Sequence, residues 1–541
     1  MICKDKFVPA MTSLWEKLGN CPSEDLREVW GQICQTFNEQ AEAADNKWRV
    51  LQPATGTGKS QGLALYSALH KHDPSFGILI VVRLIEQADE MARTINKLAD
   101  VEMARARHSD SVLSADEMAE TQVLVVTHKA YELSLDAYTQ GCTDRFSSFL
   151  AYAGSFDGRR QLVVIDESLD VVKHYQVDLD FLSQAIGQIP SAIKHDPRFS
   201  GKVEHLKALE AALEVNAKST DTATRGMNSV APDLPEGFDL SDLRKECRKY
   251  PWDRVMHGRE STAERSKTAN RIDKTLEAAE MTLNQWSYYS KAGERHTVNT
   301  SSLVLPDEAR GAVVMDATAS QNLLYRLFAD KVIIQPVLFA RRYGKVTLHV
   351  AKVKGIGKTA MTKRADKRLE RLRADLVERI SPDSLVCIVT HKIVEAKLAA
   401  FEMPFKVMRG HWGALDGKNN YQYCDTFVCV GLPFRDRITS SNVYCAIKGP
   451  QSDAWLQATE KRADGIHTDI RTDIEDGQLA ADVIQAMNRI QIRRVVDEHG
   501  NCETSHCYIV LGDDKRGDRL LDSIKKAMPG IRVVGMAARV G

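Results

Sequence analysis

The segment Gln52-Pro-Ala-Thr-Gly-Thr-Gly-Lys-Ser60 constrains the fold of this chain more than any other. A short apolar strand is predicted before it, over 48–51, and a helix is predicted after it, over 60–69. Glycines in such a loop let the backbone turn its N–H groups toward phosphate oxygens, and the helix adds the positive end of its dipole. The segment therefore predicts a phosphate-binding loop between a buried strand and a helix.

The residue types in this loop indicate which ligand it holds. Lys59 is expected to neutralise the β- and γ-phosphates, and the Ser60 hydroxyl is expected to ligate Mg²⁺. The candidate nucleotide-binding residues are Thr55, Gly56, Thr57, Gly58, Lys59 and Ser60. The loop thus predicts a nucleoside triphosphate and Mg²⁺ as ligands.

A second motif lies at the end of the apolar run Leu162-Val-Val-Ile165, where Asp166 and Glu167 follow directly. In phosphate-loop proteins a carboxylate at this position lies near Mg²⁺, so Asp166 and Ser60 are the predicted metal residues. The adjacent Glu167 can orient or deprotonate an attacking water. Because kinases often lack the second carboxylate, the pair favours hydrolysis over phosphoryl transfer.

The chain as a whole alternates between strand-like and helix-like segments. Runs of apolar residues at 77–82, 123–127 and 162–165 are typical of strands buried on both faces of a parallel sheet. Strands return at 311–315, and a second alternating block extends from 345 to 534. The pattern predicts an α/β protein with two similar blocks side by side.

Composition excludes several classes of protein. Lys+Arg and Asp+Glu both number 73, so the net charge is zero and any nucleic-acid contact must come from a local patch. No apolar run approaches the ~20 residues of a membrane span, which predicts no membrane contact. The 11 cysteines are scattered without paired spacing, which is typical of a cytoplasmic protein with reduced thiols.

With both motifs in place, the chain resembles superfamily 2 helicases of the DEAD/DEAH-like group, and is similar to helicase-like ATPases of phages and mobile elements. Further segments match that family's motifs in order. They are Val81–Arg83, Val125–His128, Met315–Ala319, Val389–His391, 417–425 with 431–433, and 485–494. The resemblance implies two RecA-like domains in tandem, with ATP between them and a nucleic-acid strand across their top.

The resemblance and the alternation together predict the domain organisation. We expect an N-terminal helical extension, a RecA-like domain 1 that is interrupted by a mainly helical insertion, and a RecA-like domain 2. The predicted bounds are 1–44 for the extension, 45–170 and 301–338 for domain 1, 171–300 for the insertion and 339–541 for domain 2.

The resemblance also implies roles for individual residues. The catalytic residues would be Lys59, Asp166, Glu167, Gln485, Arg489 and Arg493. The family has a glycine where Asn488 stands and a second arginine three residues after the first, whereas Arg493 follows Arg489 by four. The arginine that reaches the γ-phosphate is therefore open among Arg489, Arg493 and Arg494. Residues expected to contact nucleic acid are Arg83, Thr127, His128, Thr390, His391 and Asn419.

The predicted insertion contains a basic stretch between Arg244 and Lys274 in which Tyr250 and Trp252 are embedded. Cations with aromatic rings can hold a single strand by phosphate contact and base stacking, which makes Trp252 a candidate nucleic-acid residue. A solvated helical face with a buried Trp252 explains the same pattern. The expected partners are single-stranded or partly duplex DNA or RNA, and the N-terminal helices or the insertion are candidate sites for protein partners.

The function that these features favour is an ATP-dependent nucleic-acid helicase or translocase. A nucleotide-dependent switch ATPase without motor activity is one alternative. A terminase-like packaging ATPase is another, but it needs nuclease carboxylates at strand ends in the second half, and the run 386–391 ends without one.

Two substitutions test the predicted site. Lys59→Ala should abolish ATP turnover because the phosphates lose their main cation, and Glu167→Gln should allow ATP binding but not hydrolysis. Phosphate release and the binding of a fluorescent ATP analogue measure the two effects separately. Hydrolysis at the wild-type rate by Lys59→Ala would contradict the assignment of the site.

Overall fold

The computed structural model describes residues 1–219, 223–231, 238–249, 262–292, 294–305, 310–415, 420–458 and 469–537. These residues divide into two compact units. Unit 1 comprises the described residues within 1–171, 304–435 and 472–541, and unit 2 comprises those within 172–303 and 436–471.

The strands are short, and those of unit 1 are built mainly from Val, Ile and Leu. They are β1 (Trp48–Leu51), β2 (Ile78–Val82), β3 (Ala104–Arg107), β4 (Val123–Thr127), β5 (Leu162–Asp166), β6 (Val172–Asp178), β7 (Arg225–Gly226), β8 (Tyr288–Ala292), β9 (Arg295–Leu303), β10 (Val313–Met315), β11 (Val332–Ile334), β12 (Val346–Val353), β13 (Leu385–Thr390), β14 (Lys406–His411), β15 (Thr426–Cys429), β16 (Ser505–Gly512) and β17 (Arg532–Gly535).

The helices alternate with these strands in unit 1 and dominate unit 2. They are α1 (Lys4–Lys17), α2 (Glu24–Glu42), α3 (Lys59–Leu69), α4 (Ile85–Ala99), α5 (Ala115–Glu120), α6 (His128–Thr139), α7 (Asp144–Leu150), α8 (Leu179–Gln188), α9 (Ser191–Lys194), α10 (Ser200–Lys218), α11 (Met227–Val230), α12 (Ser241–Lys249), α13 (Thr262–Asn284), α14 (Leu324–Leu327), α15 (Lys358–Lys363), α16 (Ala365–Arg379), α17 (Lys392–Leu398), α18 (Arg437–Lys448), α19 (Asp453–Gln457), α20 (Ile470–Met487) and α21 (Lys515–Ala527). Within the described ranges, none of the helices has the length and apolar character that crossing a lipid bilayer requires.

The first parallel sheet of unit 1 brings the predicted site motifs to one edge. Its strand order is β11-β1-β10-β5-β2-β4-β3, and β1, β2 and β4 are completely buried. Leu51 of β1 pairs with Met315 of β10, which in turn pairs with Asp166 of β5. Because the strands are parallel, the phosphate loop and the acidic pair leave the sheet at the same end. We call this sheet and its helices the first lobe.

A second parallel sheet, with the order β14-β13-β15-β16-β12-β17, forms the second lobe of unit 1. Its strands pack against α16, α17, α20 and α21 around one apolar core. The predicted α/β fold with two parallel-sheet domains is therefore confirmed.

Unit 2 is mainly helical, as the sequence predicts for the insertion, but it also contains the antiparallel sheet β6-β9-β8-β7, which the sequence does not predict. The strands were not predicted because their buried face is partly polar: Asn299 donates hydrogen bonds to Ser290 (2.9 Å) and Thr297 (3.1 Å). Such a strand lacks the apolar run that indicates burial. Residues 436–471, assigned from the sequence to the second RecA-like domain, also belong to this unit.

The N-terminal helices α1 and α2 pack into the core of the first lobe rather than projecting from it. Phe7, Trp30 and Phe37 are fully buried there. The Trp30 indole donates a hydrogen bond from Nε1 to the carbonyl oxygen of Thr57 in the phosphate loop at 2.8 Å. Trp15 packs edge-on against Trp30, with ring centroids 5.3 Å apart. Residues 4–42 thus support the phosphate loop through this hydrogen bond and the packing of the two tryptophan rings.

The hydrogen bond from Trp30 provides a test of this bracing. Trp30→Phe should lower the free energy of unfolding by about 1–3 kcal/mol more than Trp15→Phe, because only the first change leaves a buried carbonyl without its donor. Trp15 is the matched control, since its indole N–H donates no hydrogen bond within the described part of the chain. Urea denaturation measures both, and equal losses would contradict the bracing role.

Candidate nucleotide-binding site

The phosphate loop has the backbone conformation that its glycines make accessible. Gly56 and Gly58 have φ values of +82° and +81°, in the left-handed region that favours glycine. Thr57 closes the turn by donating from Oγ1 to the carbonyl oxygen of Ala54 at 2.7 Å. The helix α3 then begins at Lys59, whose ammonium group donates to the carbonyl oxygen of Met315 at 3.2 Å. The loop and the neighbouring strand end are therefore joined directly by the lysine.

The acidic pair lies beside the loop. Ser60 donates a hydrogen bond from Oγ to Oδ2 of Asp166 at 2.7 Å, so the two predicted metal residues are in contact. The other carboxylate oxygen of Asp166, Oδ1, is buried and accepts no hydrogen bond from the described residues. A hydroxyl next to a carboxylate with one unused oxygen is the set of oxygen donors that Mg²⁺ prefers. The residues present thus fit a magnesium ion.

Glu167 has an unusual backbone conformation and charged neighbours on two sides. Its φ is +74°, which for a side chain other than glycine costs about 1–3 kcal/mol and is found preferentially at functional sites. One carboxylate oxygen lies 3.6 Å from Nη1 of Arg83 in the first lobe. The other lies 3.6 Å from Nη2 of Arg489 in the second lobe. The carboxylate is thereby fixed between guanidinium groups from the two lobes.

The arginines of the second lobe line the same pocket as the phosphate loop. Arg489, Arg493 and Arg494 share a cavity of about 440 Å³ with Lys59, Ser60, Asp166 and Glu167. Burial lowers the pKa of Arg493 to about 10, and the neighbouring charges of Arg489 and Arg341 add to this shift. Clustered, partly desolvated guanidinium groups repel one another, and a polyanion among them would relieve that repulsion.

Gln485, a predicted catalytic residue, connects the lobes at a second point. Its side-chain amide donates to Oγ1 of Thr318 at 3.1 Å. Thr318 in turn donates to the buried carboxylate of Asp316 from both its backbone N–H and its hydroxyl, each at 2.8 Å. Gln485 thus contacts the turn after β10, next to the strand end that Lys59 reaches, rather than the phosphate loop itself.

Arg341, in the segment between the lobes, was not predicted from the sequence. Its guanidinium is buried and donates to the carbonyl oxygens of Thr55 in the phosphate loop and of Arg493, the latter at 2.7 Å. It also donates to Oδ1 of Asn488 at 3.1 Å. The adjacent Arg342 is 65% exposed, and nothing in the local sequence distinguishes the two arginines. Only the fold determines which of them joins the lobes.

Two residues of the N-terminal segment, Trp15 and Asn20, also line the pocket and were not predicted. A β-carbon at Gly58 would lie 2.9 Å from the Trp15 ring, so the glycine is needed for this approach as well as for its backbone conformation. The apolar residues of α1 recur at helical spacing, but that spacing does not indicate which segment Trp15 contacts.

Of the residues predicted to contact nucleic acid, three from the first lobe make contacts within the protein. Arg83 lies beside Glu167, as described above. Thr127 is buried and its hydroxyl accepts a hydrogen bond from the backbone N–H of Ala130, at the start of α6. His128 is 7% exposed, and its Nε2 lies 2.9 Å from the carbonyl oxygen of Asp166. Burial lowers the pKa of His128 below its ordinary value. His128 is therefore placed to hold the acidic strand end.

Thr390 and His391 are also buried, with exposures of 1% and 7%. Burial lowers the pKa of His391, and the charge of Lys358 lowers it further. In this conformation a nucleic-acid strand has no direct access to these two side chains. Asn419 and Trp252 lie outside the described residues.

Comparison with known proteins adds a likeness in fold. No protein-family model matches the chain, and no curated protein matches it. Among solved structures, Xpd4 from S. tokodaii is similar over 94% of this chain and 99% of its own, with 12% identity and a TM-score of 0.50. The likeness to Xpd4 is one of fold, which both chains share over almost their whole length.

A second solved structure is similar over much of this chain. Dbp5 from S. cerevisiae, bound to RNA and ADP BeF3, matches 97% of this chain and 95% of its own, with 11% identity and a TM-score of 0.40. The two parallel sheets of unit 1 agree with the likeness in fold to Xpd4.

The role of Arg341 can be tested against its neighbour. Arg341→Met should lower the free energy of unfolding by about 2 kcal/mol or more, because buried carbonyl groups lose their donor. Arg342→Met is the matched control and should change it by no more than about 0.5 kcal/mol, since exposed ion pairs contribute little. Chemical denaturation of both variants measures the difference, and similar losses would show that Arg341 does not join the lobes.

Proposed function

We propose that this protein is an ATP-dependent nucleic-acid helicase or translocase that hydrolyses ATP between its two parallel-sheet lobes. The observation that carries the proposal is the approach of Arg489 from the second lobe to Glu167 of the first, at 3.6 Å, in the pocket of the phosphate loop. A guanidinium contributed across an interface raises the rate of nucleotide hydrolysis by ~10³–10⁵ in comparable NTPases.

ATP would be held mainly by the first lobe. The backbone N–H groups of the loop from Thr55 to Ser60 and the ammonium group of Lys59 would bind its phosphates. Ser60 and Asp166 would hold Mg²⁺, in agreement with their contact and with the unused oxygen of Asp166. When bound, Mg²⁺ supplies positive charge that stabilises the phosphate oxygens during transfer.

Glu167 is the proposed general base. Its carboxylate would orient the attacking water and accept a proton from it. The water oxygen would bond to the γ-phosphorus as the bond from that phosphorus to the bridging oxygen breaks, and ADP would leave with that oxygen. Arg83 and Arg489 fix the position of this carboxylate from opposite lobes, so the base is oriented only while the lobes are together. Hydrolysis is thereby restricted to the closed arrangement.

Movement would follow from the loss of charge in the pocket. Arg489 and Arg493 are attracted by the triphosphate, and release of the γ-phosphate removes part of that attraction. The hydrogen bond between Gln485 and Thr318 lies on the same interface and would break as the lobes part. Repeated closure and opening on a nucleic-acid strand would convert hydrolysis into translocation.

The nucleic-acid substrate is a single-stranded or partly duplex DNA or RNA. Arg83, Thr127, His128, Thr390, His391 and Asn419 remain predicted contacts, the buried ones requiring a change of conformation on binding. The predicted domain bounds remain part of this proposal, except that residues 436–471 group with unit 2. A cytoplasmic location is also proposed, on the basis of cysteines that are all free thiols.

Arg489→Ala should lower the turnover of ATP by ~10³-fold or more while ATP still binds, because the guanidinium acts on the transition state. Arg373→Ala is the control, since this exposed arginine of α16 lies outside the pocket. Steady-state hydrolysis and the binding of an ATP analogue are measured for both. An Arg489→Ala enzyme with wild-type turnover would overturn the proposed site.

Wild-type hydrolysis is also measured with and without single-stranded DNA or RNA. Stimulation by a strand is expected of a motor, whereas equal rates would favour a switch ATPase. A strand-displacement assay then separates unwinding from translocation alone.

A further inference from the structure

Unit 2 contains a charged surface that the nucleotide site does not use. A groove of about 410 Å³ opens between α13, the start of α8, the end of β6 and the first residue of β9. Its lining includes Lys267, Asn270, Arg271 and Lys274 of α13, together with Phe181 and Arg295. Its α13 residues come from the basic stretch between Arg244 and Lys274 that the sequence analysis identifies, but not from the part around Trp252.

The α13 residues of the groove form one continuous stripe. Asn270, Arg271 and Lys274 follow Lys267 by three, four and seven residues, and these spacings place all four on a single face of the helix. All four side chains are exposed. Seven residues of helix span ~10 Å, so the stripe presents its charges along an extended line.

The acidic residues of α13 lie on the side of the helix that adjoins the basic stripe. Asp273 and Glu280 pair with Arg244 at 3.2 and 3.1 Å, and Glu277, three residues after Lys274, pairs with Lys173 at 2.8 Å. Unit 2 therefore neutralises the acidic face of this helix internally. No ion pair joins Lys267, Arg271 or Lys274 to any carboxylate whose side chain the structure describes.

An aromatic ring lies next to this basic stripe. Phe181 is 43% exposed, although it is a large apolar residue, and the Arg271 guanidinium lies 5.7 Å from the centre of its ring. The carboxylate of Asp178 also lines the groove, but it accepts a hydrogen bond from Nε of Arg295 at 2.9 Å. The groove thus combines excess positive charge with an accessible ring.

We propose that this groove binds a single nucleic-acid strand, with its phosphates on Lys267, Arg271 and Lys274 and one base stacked on Phe181. The inference deepens the proposed function, on which it rests for the class of substrate. Cations alone would suit any polyanion, and the exposed ring is what favours a strand over an acidic peptide, because every base has a face that can stack. Asn270 is placed to donate or accept a hydrogen bond at a base edge.

Charge reversal tests the phosphate contacts. Lys267→Glu combined with Lys274→Glu should weaken the binding of labelled oligo-dT and oligo-rU by about 10-fold or more, and should reduce the salt dependence by about 0.7 per lost contact. The control is Lys207→Glu combined with Lys218→Glu, which changes the net charge equally on α10 of the same unit. Its affinity for the strands and the salt dependence of that affinity should both stay within about 2-fold of the wild type. Fluorescence anisotropy over a range of salt concentrations measures them.

Substitution of the ring tests stacking. Phe181→Ala should weaken binding by about 5-fold or more, whereas Phe181→Trp should retain it, because the larger ring still stacks. Circular dichroism and thermal unfolding of each variant check that it is folded. A Phe181→Ala protein that is folded and binds the strands as tightly as wild type overturns the proposed stacking.

The remaining outcomes separate this inference from the proposed function. If strands stimulate wild-type hydrolysis but the groove variants bind them normally, the groove proposal fails and the motor stands. If poly-glutamate of matched charge displaces the strand equally well, the groove is a general polyanion site and the proposal is overturned. If the wild type binds no strand at all, both proposals fail.

Discussion

The parallel register of β1, β10 and β5 is the constraint on which the rest of the structure depends. Leu51, Met315 and Asp166 are aligned across these strands, so the chain leaves the sheet three times at the same edge. Parallel strands buried on both faces cannot shift this register without moving every apolar side chain out of its layer. The loop, the turn after β10 and the acidic pair are thereby held together before any ligand binds.

Guanidinium groups make several of the contacts between the lobes. Arg489 faces Glu167, while Arg341 joins Thr55 of the loop to Arg493. Burying several arginines together is unfavourable unless each is paired, and the neighbouring carbonyl and carboxylate groups supply part of that pairing. Such an interface is sensitive to added negative charge, which is the property that a nucleotide-driven interface requires.

The helices α1 and α2 give the first lobe a support that is outside the alternating pattern. Trp30 donates to the loop backbone, and Trp15 packs against Gly58. These contacts hold the phosphate loop against the N-terminal helices. Unit 2 is organised differently, around an antiparallel sheet whose buried face uses Asn299, Ser290 and Thr297 as well as apolar side chains.

The sequence by itself determined the motifs and elements that are formed by residues close together in the chain. The glycines and lysine of the loop, the Asp-Glu pair and the Val-rich strands were predicted because each depends on neighbouring residues and on a short-range period. The tertiary structure alone decided the long-range pairings. It selected Arg341 over Arg342 and placed Arg83 beside Glu167. It also buried His128 against Asp166 and made strands of the polar segments of unit 2. The physical reason is that burial and pairing depend on which distant segments pack together, and a charged or polar side chain looks the same in sequence whether it is solvated or enclosed.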